Sequence, residues 1–241
     1  MNVRAVLFDR DGTLIDLNKT WGGVLQYVLL ELADGDVTLA TELGHLVQFD
    51  YDRAACLPGS PILTSPPSGY TEPWATHLGV EYNRAFLVRV EDLILDRAAE
   101  SVAVFEDTIS SIKALADAGV PIGLATNGTE ASAIAQLKHL DIFDYFTFVV
   151  GYDSGHGEKP DPGQLFGFAQ HTGIEPHHIA MVGDSLHDMH AAKNAGMLRV
   201  AVTTGALTAE ELEDHCDHLL GSLTELVNLV GQTPAGEDAA A

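Results

Sequence analysis

The stretch Val3-Arg4-Ala5-Val6-Leu7-Phe8-Asp9-Arg10-Asp11-Gly12-Thr13 decides how this chain folds. Residues 3–8 are apolar apart from Arg4 and include two valines, which predicts a short buried strand. Asp9 to Gly12 end that strand, and Gly12 permits a sharp turn. Two carboxylates two residues apart can both reach one site when a strand ends between them. Such a pair can divide the work of nucleophile and general acid/base. Taken alone, D-x-D-G-T also fits a calcium-type loop or an ordinary turn.

The rest of the chain supplies a frame for that strand. Helical patterns over 110–118, 131–140, 162–172 and 185–195 alternate with strand-like runs over 120–126, 146–150, 179–182 and 199–203. Gly119 and Gly196 stop two of the helices. Short helices are expected over 210–214 and 222–230. Apolar strands alternating with helices predict an α/β fold, a doubly wound parallel sheet covered on both faces. Ligands of such sheets sit at the carboxyl ends of the strands.

Residues 16–98 break the alternation. Helical stretches over 24–32, 42–51 and 85–99 surround a segment rich in Pro, Gly and Ser at 57–69. The expected organisation is a core domain of 1–15 and 99–231, a mainly helical cap of 16–98 inserted after the first strand, and a flexible tail over 232–241.

Composition narrows the function. The 241 residues are 46% hydrophobic, enough for a sizeable core. Residues 24–32 are too short for a membrane span, which needs about 18 apolar residues, and the N-terminus lacks the pattern of a signal peptide. Cys56 and Cys216 lie far apart and read as reduced thiols, so a cytoplasmic location is expected. A net charge of −23 repels nucleic acid and anionic membranes, so neither is expected as a partner. It also repels anionic substrates, so a phosphate site must carry its own cations. Oligomeric state is not legible here.

Three more signals fall at predicted strand ends. Thr126-Asn127-Gly128 offers a hydroxyl, an amide and backbone N–H groups to an oxyanion, or forms a common turn. Lys159, one of five lysines, lies in Gly157-Glu158-Lys159-Pro160-Asp161-Pro162, where a cation could balance a nucleophile and a phosphate. A solvent lysine is the alternative. Gly183-Asp184-Ser185-Leu186-His187-Asp188 places Asp184 where it could bind a hard cation. Asp188 could complete a capping box with Ser185 and support that metal as well.

Together and in this order, the four signals resemble the haloacid dehalogenase-like superfamily, over roughly 1–15 and 100–230. The core most resembles its phosphoglycolate-phosphatase-like branch. The resemblance implies a Rossmann-like core, a Mg2+ cofactor and a small-molecule phosphate ester as substrate, hydrolysed through an aspartyl phosphate. It implies Asp9 as nucleophile and metal ligand, and Asp11 as general acid/base and metal ligand through its carbonyl. Thr126, Asn127 and Lys159 would hold the transferring phosphoryl group. Asp184 would bind the metal with Asp188 assisting. Arg10 and residues 17–21 depart from the branch's common pattern.

Alternatives follow from the same residues. Asp11 and Asp184 argue against a dehalogenase. A phosphonate hydrolase would need a cap lysine, of which Lys19 is the only one. A phosphomutase shares the catalytic set, and a non-catalytic phosphate-ligand binding protein is the reading from another class. His187 and His190 flank Asp188, and 215–218 is rich in ligand types, but nothing completes a zinc set. They read as surface histidines. Trp21 is expected to pack within the cap. Lys19, Arg53 and Arg84 are candidates to meet the polar end of a substrate.

Overall fold

The computed structural model describes residues 3–63, 65–98 and 101–231. The expected tail over 232–241 and residue 99 of the expected boundary lie outside them. In chain order the elements are β1 (Ala5–Phe8), α1 (Leu17–Leu32), α2 (Val37–Leu46), β2 (Phe49–Asp50), β3 (Ala55–Cys56), α3 (Glu72–His77) and α4 (Arg84–Ala98). There follow α5 (Thr108–Asp117), β4 (Ile122–Ala125), α6 (Glu130–His139), β5 (Phe146–Val150), α7 (Gly163–Thr172), β6 (Ile179–Gly183) and α8 (Leu186–Ala195). The chain continues through β7 (Leu198–Val202), α9 (Ala209–Glu213), β8 (His218–Leu220) and α10 (Leu223–Gly231).

Six of the strands form one parallel sheet in the order β5-β4-β1-β6-β7-β8. Strand β1 lies between β4 and β6, with Val6 beside both Ile122 and Ala180. Its side chains alternate between two cores. Val6 and Phe8 point into a cluster with Ile112, Leu115, Leu137 and Leu226 from α5, α6 and α10. Ala5 and Leu7 point the other way, into a cluster with Leu165, Phe168 and Ala192 from α7 and α8. This is the expected doubly wound sheet. Gly123 in β4 lets the sheet lie flat against Phe168, since a Cβ there would sit 2.7 Å from that ring.

The inserted segment has its own cluster. Val24, Leu25, Val28 and Leu29 of α1 pack with Leu43 of α2, Trp74 of α3 and Val90 and Ile94 of α4. Trp74 is fully buried, and its indole N–H donates to the Leu43 carbonyl at 2.9 Å. The two connections to the core run side by side. Asp16 donates its N–H to the Ala103 carbonyl at 2.8 Å, and the Ala103 N–H donates to the Thr20 hydroxyl at 3.0 Å.

Three sequence expectations need correction. The helix expected over 42–51 ends at Leu46, and Phe49–Asp50 pairs antiparallel with Ala55–Cys56. The cause is a reversal at Gln48, whose φ is +54°, which folds Phe49 back onto Gly44, where a Cβ would be 2.9 Å from the Phe49 carbonyl. Helix α1 begins seven residues before the expected start at 24, because the Asp16 carboxylate caps it by accepting from the Lys19 N–H. Gly22 gives room for the Ala54 carbonyl, 2.0 Å from where its Cβ would lie. Edge strand β8 was not expected.

Candidate active site

Asp9 stands at the carboxyl end of β1, its backbone N–H donating to the Val182 carbonyl at 2.8 Å. The chain then turns at Gly12, with φ +81°, against Asp184. A Cβ on Gly12 would lie 2.3 Å from the Asp184 Oδ2 atom, and one on Gly205 would lie 1.7 Å from it. These two positions therefore need glycine for Asp184 to stand where it does. The Thr204 hydroxyl donates to the Gly12 carbonyl at 2.6 Å and ties the loop after β7 to the loop after β1.

Thr126 stands buried at the end of β4, and its hydroxyl oxygen accepts from the Gly128 N–H at 3.0 Å. The Asn127 amide serves the next loop. Its nitrogen donates to the Lys159 carbonyl and its oxygen accepts from the Lys159 N–H, each at 2.9 Å. The Gln164 amide donates to the carbonyls of Thr126 and Gly157 and braces the same junction. Asn127 was expected to meet a phosphoryl group. In the structure its side chain fixes the Lys159 backbone.

Lys159 is buried, and its ammonium lies 2.6 Å from both Asp9 Oδ1 and Asp188 Oδ1. The solvent-lysine alternative is thereby excluded. Asp188 uses its other oxygen in a capping box, accepting from the N–H and the hydroxyl of Ser185. Burial pushes the Asp9 carboxyl up to about 7, with Asp188 and Asp11 adding and Lys159 opposing. Burial raises Asp184 well above the usual carboxylate range, with Asp9 and Asp188 adding to it. For Lys159 burial works against the charge, but Asp188 and Asp9 outweigh it and hold its pKa above the ordinary value.

Asp9, Asp184 and Asp188 offer carboxylate oxygens within 4.8 Å of one another, all three residues buried. Three clustered carboxylates with one lysine are short of positive charge, and oxygen donors of this kind suit a hard divalent cation. The residues fit a metal on that ground. Among the described residues no histidine or cysteine joins such a group. His190 packs its ring against His215 at 5.5 Å, while His187 lines the pocket with a buried Nδ1 lacking a partner.

Asp11 is turned away from this cluster. Its Oδ2 accepts from Arg10 Nε at 2.9 Å and Nη2 at 2.7 Å, and its Oδ1 accepts from the Trp21 indole N–H. Arg10 is itself buried, donates to the Ser132 hydroxyl at 3.2 Å and lies 5.0 Å from the Trp21 ring centroid. Sequence reasoning marked Arg10 only as a departure from a pattern. The available signal was an arginine between two site carboxylates in a chain with only 12 cations. Trp21 packs in the cap cluster as expected, but it also reaches the site.

Core and insertion enclose a cavity of about 80 Å3 that Asp9, Arg10, Asp11, Thr126, Lys159 and Asp184 line from below. Lys19, Arg53 and Arg84 do not line it. Their side chains are 76%, 82% and 72% exposed, and each pairs with a nearby carboxylate. The candidates for a substrate's polar end therefore stand outside the cavity lining, and Lys19 pairs with Asp16 rather than reaching the pocket. No helix of the described residues is long and apolar enough to cross a membrane.

Comparison with known proteins gives the same picture. The family model for haloacid dehalogenase-like hydrolases matches residues 3–196. Phosphoglycolate phosphatase of Escherichia coli K12 is 29% identical over 235 residues, covering 95% of this chain and 93% of that protein. The fold is shared with a haloacid dehalogenase-like hydrolase from Bacteroides fragilis (TM-score 0.71, 20% identity, 93% of this chain and 99% of that one). It is shared too with CbbY from Rhodobacter sphaeroides, solved in complex with phosphate (TM-score 0.67, 19% identity, 93% of this chain and 96% of that one). With the strand-end carboxylates, the buried lysine and the inserted helices all in place, the chain belongs to the haloacid dehalogenase-like hydrolase family.

Proposed function

We propose that the chain is a Mg2+-dependent phosphatase that hydrolyses a small-molecule phosphate monoester through an aspartyl phosphate. The observation that carries this reading is the buried Asp9 carboxylate, held by Lys159 beside Asp184 and Asp188 and open to the same pocket as Thr126. Asp9 attacks phosphorus, and the ester oxygen leaves. Asp11 gives that oxygen its proton, then takes one from the water that hydrolyses the aspartyl phosphate. Thr126, the backbone around Asn127 and Lys159 hold the phosphoryl oxygens. Asp9, Asp184, Asp188 and the Asp11 carbonyl would hold Mg2+, which supplies positive charge to offset the phosphoryl oxygens. The half-buried thiols of Cys56 and Cys216, neither in a disulfide, support a reducing, cytoplasmic setting.

The test is purified protein with Mg2+ against a panel of phosphate monoesters, with acid quench during turnover. Phosphate release and a phosphoryl group trapped on Asp9 are expected. Release of phosphate with no trappable phosphoenzyme overturns the covalent route, and no release from any ester overturns the phosphatase.

A further inference from the structure

The upper wall of the cavity comes from the inserted segment, and its chemistry is lopsided. Leu17, Leu25, Ile62, Tyr70 and Ile94 present apolar or aromatic surface, and among the described residues Glu91 is the one charged side chain the segment contributes. Glu91 is held there by the Tyr152 hydroxyl, which donates to it from the core. Arg84 approaches it at 3.8 Å from outside the lining.

The cavity's two cations both come from the core, and both are spoken for. Lys159 lies between Asp9 and Asp188. Arg10 gives Nε and Nη2 to Asp11, gives Nη1 to Ser132 and stacks on Trp21. Five lining carboxylates, Asp9, Asp11, Glu91, Asp184 and Asp188, face those two cations. One bound divalent ion and one phosphoryl group leave nothing over for a second anion on the substrate. A carboxylate on the leaving group would meet apolar side chains, Glu91 and polar groups such as Ser65, Tyr70 and His187, losing its water without gaining an unpaired Lys or Arg.

We infer, resting on the phosphatase reading, that the substrate's leaving alcohol is compact, apolar and uncharged, and that the inserted wall selects against esters carrying a carboxylate close to the phosphate. Phosphoglycolate, for which the curated relatives are named, carries such a carboxylate. Discrimination of this kind arises from the cost of an unpaired buried charge rather than from a steric clash. The wall therefore reads charge more sharply than it reads the length of an alkyl group, since one methylene in an apolar pocket discriminates weakly.

Binding tests this without turnover. Propylphosphonate and phosphonoacetate, of similar size, would be titrated calorimetrically into the whole protein with Mg2+ present. Propylphosphonate is expected to bind roughly tenfold tighter or more. Leu17→Arg, at a half-buried position in the first turn of α1, places a cation on the wall and should shrink or reverse that preference. Arg10→Gln should leave the preference in place. Tighter binding of phosphonoacetate, lost in Arg10→Gln, overturns the inference and makes Arg10 a carboxylate receptor. A preference unchanged in Leu17→Arg overturns the selecting role of the wall, and binding of neither phosphonate overturns the site as a whole. Failure of the phosphatase reading shows separately, as absence of phosphate release from every monoester whatever the phosphonate preference.

Discussion

Asp9, Lys159, Asp184 and Asp188 on the core side of the cavity are buried and ionisable, whereas Leu17, Leu25, Ile62 and Ile94 on the inserted side carry no charge. The core side is built where four parallel strands end, and its glycines leave room for carboxylates whose oxygens lie within 4.8 Å of one another. The inserted side is built from the inward edges of helices that pack mainly on each other. The contrast separates two tasks. In the proposed reading the core side acts on the phosphoryl group and is indifferent to what the phosphoryl group is attached to. The inserted side, Trp21 apart, faces what is attached to the phosphoryl group and can favour or disfavour it.

The contrast breaks most directly at Asp9. An amide cannot form an acyl phosphate, so Asp9→Asn should lower kcat by about 10^4-fold or more with the fold intact. Phosphate release at saturating ester, with circular dichroism on the same sample, checks both halves. Retained activity in a folded variant would remove Asp9 as nucleophile. Lys159→Met comes next, and its effect is on stability. It leaves Asp9 and Asp188 facing each other without their cation, and removing one partner of a buried pair costs about 3–5 kcal/mol. Urea unfolding in EDTA measures this. The loss should be smaller at pH 5 than at pH 8, because a protonated Asp9 needs no counterion. A stability change under about 1 kcal/mol would mean that solvent, not Lys159, compensates these groups.

The core side was legible in the sequence because each of its residues follows a strand, and strands of β-branched and aliphatic residues announce themselves. Asp9, Thr126 and Asp184 needed only the alternation of elements to be placed together. The inserted side was legible as helical but not as a wall. Which face of α1 or α4 meets the core depends on how two linkers pair at Thr20 and Ala103, and that is a long-range contact. For the same reason spacing alone does not show that Lys19, Arg53 and Arg84 stand mostly exposed outside the cavity. Arg10 escaped for a different reason. Its partners are Asp11 next door, Ser132 far along the chain and Trp21 across the boundary, and only the first can be guessed from spacing. Asn127 was placed correctly, but its side chain turned out to hold a backbone.

The crowding of carboxylates on the core side also predicts how metal-free protein responds to pH. Asp9 has a folded pKa of about 7 against 3.8 unfolded, so the folded state binds its proton more tightly than the unfolded state does. Stability from this group is therefore full at low pH and falls as pH rises from about 4 through about 7. Asp184 is shifted in the same direction. Lys159 is raised above 10.5, so its contribution is already complete throughout this range. Melting in EDTA should be several degrees lower at pH 8 than at pH 5. Mg2+ should restore most of the difference at pH 8, because it binds only the folded cluster. Sodium chloride at matched ionic strength separates this from screening of the acidic surface. Asp184→Asn should raise the metal-free melting temperature at pH 8 and blunt the magnesium response. Equal stabilisation by salt, with an unchanged response in Asp184→Asn, would dissolve the metal site.

The smallest effect belongs to the place where the insertion touches the proposed acid/base. The Trp21 indole, on the first turns of α1, donates to Asp11 Oδ1 while Arg10 holds Oδ2. The proposed acid/base is thus steadied by one residue from each side. Trp21→Phe removes the donor and keeps most of the ring, so cap packing and the contact with Arg10 largely survive. One hydrogen bond to a charged group is worth about 1.5–3 kcal/mol at most, and solvent or Arg10 can replace part of it. Stability should fall by no more than about 1 kcal/mol. Turnover should fall several-fold, in kcat more than in KM, since Asp11 acts on the leaving oxygen and on water rather than in holding the ester. The same variant should leave the ratio of propylphosphonate to phosphonoacetate affinity unchanged, because Trp21 positions Asp11 and does not read the leaving group. A shift in that ratio with kcat unchanged would mean that Trp21 belongs to the selecting wall alone and that Asp11 is positioned by Arg10 without help from the insertion.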